Sequence, residues 1–131
     1  MSIKKLFYII ILFFTFSCNK EQYVPAYEIK LNLINKSWEL EYYNDSGEIK
    51  SVNDFRIYFD KSYSISIFTG GNQKVGSWAV YEGYYGPILQ LRYSDYSKDS
   101  ISLDGNWNIS NYTSKRMTLK KYNTEYFLVL K

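Results

Sequence analysis

Few residues in this chain of 131 carry the means for covalent or acid–base chemistry, and Cys18 stands out among them. It is the only cysteine, so no disulfide can form within the chain. There is no histidine to activate it as a nucleophile or to share a zinc ion with it. It sits where a greasy run gives way to a polar one, in KKLFYIIILFFTFSCNKE. Left free in an oxidising compartment, a lone thiol would be a liability. The carboxylates Asp95, Asp99 and Asp104 cluster in SDYSKDSISLDGN, but they lack the alternate-position spacing of a calcium loop and read as solvated loop acids. No two acids are singled out as a pair for glycoside hydrolysis, which stands as a third and minor expectation. A serine nucleophile would need a lysine base, and the KSY and SK dipeptides are too ordinary to signal one. With no G-x-S-x-G stretch and no phosphate loop, the chain is expected to be non-catalytic, with no metal and no cofactor.

Lys4 and Lys5 precede an unbroken apolar run from Leu6 to Phe14, which Thr15 and Phe16 extend. A membrane span needs roughly 20 apolar residues, and this run of about eleven suits the helical core of a secretory signal instead. FTFSC resembles the lipobox of bacterial lipoproteins, with the small Ser17 before the cysteine and Thr15 where leucine is usual. That resemblance implies removal of residues 1–17, a diacylglycerol on the Cys18 thiol and a further acyl chain, such as palmitate, on the new amino group. Two or more chains hold a protein stably to a bilayer that it does not cross. The expected location is the bacterial cell envelope, most naturally the outer membrane.

Sixteen basic residues against thirteen acidic ones give the whole chain a charge of +3. Loss of Lys4 and Lys5 with the leader brings this close to neutral, and no basic patch argues for nucleic acid. Aromatic residues make up 20% of the chain, and all but one of the fifteen tyrosines follow the leader. Tyrosine favours pleated, half-buried surfaces, so an all-β domain is expected.

The elements that must position these residues follow from alternation. Residues 18–33 read as a lipidated tether, with a short helix or an entry strand in EIKLNLINK, and 34–131 as the domain. SWELEYY places Trp38, Leu40 and Tyr42 on one face and Glu39, Glu41 and Tyr43 on the other. DFRIYFD turns Phe55, Ile57 and Phe59 inward, and YSISIF does the same for Tyr63, Ile65 and Ile67. VGSWAVY sets Gly76, Trp78 and Val80 together, and ILQLRY sets Leu89, Leu91 and Tyr93 together. ISL and WNIS read as short strands around a tight DGN turn, followed by MTLKKY and TEYFLVLK. About eight strands with hairpin-length links imply a small up-and-down antiparallel β-barrel, closed so that no edge is exposed.

INKSWEL, FDKSYSI, GSWAVY, LQL and WNISNYTSKRMTLKK together resemble bacterial lipocalin-like lipoprotein domains over residues 33–131. Lys36 stands where that family often has glycine, two residues before the first tryptophan. The resemblance implies a binding barrel with a tryptophan on its first strand. Trp38, Trp78 and Trp107 fall on inward faces, as core or as pocket lining, and a barrel of this size is just wide enough for side chains to fill it. YEGYYG is the best binding candidate, with Tyr81, Tyr84 and Tyr85 joined by Tyr93 and Tyr96 as an aromatic platform. The expected partner is a small apolar or sugar-like ligand or an envelope protein. The alternative is a filled barrel that recognises a protein partner through its outer surface. A void of ~300 Å³ or more open at one end would favour the ligand.

Overall fold

The computed structural model describes residues 23–94 and 101–131. The leader (1–17), Cys18, the start of the tether, and Asp95, Tyr96 and Asp99 lie outside the described residues. Among the described residues, helix α1 (Ala26–Leu33) precedes nine strands: β1 (Lys36–Asp45), β2 (Glu48–Ser51), β3 (Phe55–Phe59), β4 (Ser64–Thr69), β5 (Asn72–Gly83), β6 (Gly86–Tyr93), β7 (Gly105–Ser110), β8 (Arg116–Lys121) and β9 (Thr124–Leu130). Every pairing is antiparallel, and β1 pairs with β9 as well as with β3. The result is a closed eight-strand up-and-down barrel, with β2 as an extra short strand along the far half of β1.

The strands follow the expected alternation. Phe55, Ile57, Phe59, Ile65, Ile67, Leu89, Leu91, Trp107 and Ile109 are buried, with outward residues between them. Two tight hairpins, at Ser46–Gly47 (φ 53°, 94°) and Gly70–Gly71 (φ 52°, 84°), have positive φ at both central residues. Their handedness matches the twist of the strands they join. Gly76 allows a close approach: a Cβ there would lie 2.0 Å from the Arg92 carbonyl oxygen and 2.7 Å from Tyr93 Cβ.

Four local expectations change. The register of β1 against β9 shifts between Leu40 and Tyr42. This bulge reverses the alternation, so Tyr43 stacks on the core-packed Tyr126 while Tyr42 stacks on Phe127 outside. Tyr63 is exposed, at φ 67° in the turn before β4, with its ring tilted against Trp78. ISL is not a strand, and DGN is not a turn: β7 starts at Gly105. The helix begins at Ala26, earlier than the stretch expected for it, and buries Ala26, Ile29 and Leu33. Ile29 and Leu33 are fully buried in the barrel core, so α1 closes one end of the folded unit.

That end, the helix end, also carries the start of β1, the β3–β4, β5–β6 and β7–β8 connections, and the end of β9. At the opposite end Tyr126 packs edge-on against Trp107 (5.1 Å between centroids), and Lys121 Nζ lies 5.5 Å from the Trp107 ring centroid. No helix among the described residues is long and apolar enough to cross a membrane.

Candidate functional site

The three tryptophans belong to the core. Trp38 is fully buried, and its Nε1 meets no partner among the described residues. Trp78 packs edge-on against Phe59 (5.2 Å) and donates from Nε1 to the Asp60 carbonyl (3.0 Å). Trp107 donates from Nε1 to the Leu103 carbonyl (2.7 Å). Around them Leu40, Ile57, Phe59, Ile65, Ile67, Leu89, Leu91 and Met117 are almost wholly shielded, so side chains occupy the barrel interior.

The tyrosine set divides. Tyr84 and Tyr85 form the two-residue tip of the β5–β6 hairpin, 92% and 88% exposed, with their rings edge to face at 4.8 Å. Tyr81 stands on β5 opposite Ile88, toward the same end. Tyr93 does not join them. It lies at the other end of β6 opposite Gly76, and it is buried. Its hydroxyl accepts from the Leu103 amide, and its own amide donates to Asp104 Oδ1 (3.0 Å). Asp104 therefore braces the loop into β7.

A cleft of about 710 Å³ opens at the helix end, between α1, the β5–β6 tip and the β7–β8 loop. Ile29, Pro87 and Ile109 supply apolar wall, Tyr85 and Tyr112 supply rings, and Ser110, Asn111 and Thr113 supply polar edges. Local sequence explains the loop. Asn111 takes a positive φ (49°) directly after β7, and Thr113 Oγ1 accepts from the amides of Lys115 (3.2 Å) and Arg116 (3.0 Å). Burial pushes the Tyr112 phenol pKa up, against a lowering contact with the Asn32 side chain and with a further push from Glu28. The phenol therefore keeps its proton at neutral pH.

The wall nearest the N-terminus is held by Glu82. Its Oε1 accepts from the Ala26 amide (2.6 Å) and its Oε2 from the Tyr23 hydroxyl. Pro25, at the helix cap, offers no side-chain acceptor, so a carboxylate from β5 supplies the cap. The Tyr23 hydrogen bond and then the Ala26 amide hold the Glu82 carboxyl below its usual pKa, and the same contact raises that of Tyr23. Sequence reasoning missed Tyr23, Ile29, Ile109 and Tyr112 as cleft residues. The signal for the last two was a Ser-Asn pair closing β7 just before a tyrosine. The first two are placed only by the docking of α1.

The described residues form a closed antiparallel barrel with a helix across one end. Two solved structures are similar to it in fold. A lipocalin-like protein from Bacteroides uniformis ATCC 8492 is 15% identical, with a TM-score of 0.56 over 75% of this chain and 97% of that one. An uncharacterized protein from Bacteroides eggerthii DSM 20697 is 17% identical, with a TM-score of 0.57 over 76% of this chain and 99% of that one. No protein-family model matches the chain, and no curated protein matches it in sequence.

Proposed function

We propose that the chain is a membrane-anchored extracytoplasmic lipoprotein whose lipocalin-like domain works by binding. Its ligand would be a small apolar or sugar-like molecule held at the helix-end cleft. The observation that carries this reading is the cleft itself: about 710 Å³, open at one end of a barrel whose interior is already filled. Its volume lies within the range of ordinary ligand sites. Tyrosine faces beside hydroxyl and amide edges suit a flat ring with polar substituents. Cys18 supplies the anchor in this reading.

Native mass spectrometry of the full chain, released from its own host's envelope, tests it. The expected result is a small-molecule adduct on the wild type, acylated at Cys18. Ser110→Trp fills the cleft and should remove the adduct while leaving the melting temperature within a few degrees, about 1 kcal/mol for a domain of this size. An adduct retained by Ser110→Trp, or none on the wild type, rejects the cleft. A Cys18 of unmodified mass rejects the anchor.

A filled interior with two bared tyrosines also favours a second reading, in which the hairpin tip recognises an envelope protein. Loss of partner capture by the Tyr84→Ala, Tyr85→Ala double variant, with stability unchanged, would favour it.

A further inference from the structure

We propose that the helix end of the barrel is the face that lies against the lipid surface, with the Tyr84–Tyr85 tip seated at headgroup depth. The proposal rests on the Cys18 anchor described above and adds an orientation and a contact to it.

The distribution of bared apolar side chains carries it first. Tyr23, Tyr27, Leu31, Tyr63, Tyr84 and Tyr85 are all exposed, and all stand at the helix end. Toward the other end the exposed counterparts are Ile49, Val75 and Tyr122. Tyr27 and Leu31 are one helical turn apart on α1, on the face opposite the buried Ile29 and Leu33. Buried residues thus face the barrel while a tyrosine and a leucine face away from it.

Chain geometry comes second. Tyr23 is fixed to Glu82, which precedes the hairpin tip by two residues. Cys18 is five residues before Tyr23, and a fully extended chain covers at most about 18 Å over that distance. β5 has twelve residues and spans roughly 40 Å, or about 30 Å along a barrel axis at ordinary strand tilt. An anchor at Cys18 therefore keeps the helix end within reach of the bilayer and excludes a pose that stands on the opposite end.

The chemistry of the face agrees. Tyrosine concentrates at membrane–water interfaces because its ring is apolar and its hydroxyl is wet. Lys36, Lys61 and Lys115 stand at this end by their places in β1, the β3–β4 turn and the β7–β8 loop, where anionic headgroups would meet them. Lys30 Nζ sits 4.6 Å from the Tyr63 ring centroid, which adds a cation to the same face.

The test uses the full chain with Cys18 intact, expressed in a bacterial host and reconstituted into phosphatidylethanolamine–phosphatidylglycerol (3:1) vesicles. Tyr84→Cys and Tyr122→Cys are labelled with an environment-sensitive fluorophore, intact mass reports Cys18 acylation, and only protein that peptide mapping shows to be labelled at 84 or 122 and not at Cys18 is measured. Aqueous iodide should quench the label at 84 severalfold less than the label at 122, and a lipid-borne nitroxide should quench 84 alone. Equal iodide access at both sites in acylated, vesicle-bound protein overturns the orientation while the anchor stands, and it leaves the tip to a protein partner. Unacylated protein that does not sediment with vesicles overturns both. Unacylated protein that still sediments with 84 protected keeps the lipid face and rejects the anchor.

Discussion

Glu82 does for the helix what Pro25 cannot: it accepts the Ala26 amide at the first helical residue. Its carboxyl pKa is depressed, chiefly by the Tyr23 hydroxyl and then by that amide. A depressed acid stabilises the fold at pH values above its unfolded pKa. That contribution is lost as pH falls through the folded value, on the acid side of the ordinary glutamate range. We expect the Ala26 amide resonance to titrate in that acid window in the wild type and to show no inflection in Glu82→Gln. An inflection that persists in the variant would assign the titration to another group. At the hairpin tip, Tyr84→Ala and Tyr85→Ala should each change unfolding free energy by no more than about 0.5 kcal/mol, because both side chains are solvated. A larger loss in urea denaturation would show that the tip supports the fold. Tyr93 is legible as core, since alternation in ILQLRY places it with Leu89 and Leu91; grouping it with the tip tyrosines overlooks that phase. Tyr42 and Tyr43 are not legible, because nothing in SWELEYYND marks the bulge that exchanges their faces.

Helix α1 is held more by its packing than by its own propensity, since eight residues are too few for a stable isolated helix. Ile29→Ala and Leu33→Ala should each cost about 2–5 kcal/mol, while Leu31→Ala on the outer face should stay within about 0.5 kcal/mol. Equal, small effects at all three would return the helix to the tether. In β5, Gly76→Ala places a methyl against the backbone carbonyl of Arg92, which cannot rotate away as a side-chain end could. A loss of about 3 kcal/mol or failure to fold is expected, and a thermal melt close to the wild type would contradict the geometry. Most strands are legible from alternation and turn residues alone. The helix boundary escapes such a reading because it depends on a distant contact, the Glu82 cap, and β2 escapes it because its four residues are all exposed and show no apolar alternation.

The whole molecule is a ring with a filled centre. Closure joins β1 to β9 from Trp38 opposite Leu130 to Asp45 opposite Thr124, so the barrel depends on its most distant pairing in sequence. Removing residues 124–131 should leave β1 and β8 as two open edges, and size-exclusion chromatography should then show dimers or aggregates. A monomeric, folded truncation would mean that the sheet tolerates an open seam. An up-and-down barrel is readable from hairpin-length links and the hydrophobic period. The place where the cleft opens is not, because it arises between a helix, a hairpin tip and a loop that are far apart along the chain.

The β1–β9 seam has a temporal consequence. A ribosome delivers β1 early and β9 last, so no intermediate length of nascent chain can complete the circle. Pairing across such a long sequence separation is also slow once the pieces exist. The circle can therefore close only after residues 124–130 have emerged, and until then β1 and β8 stay open along their outer edges.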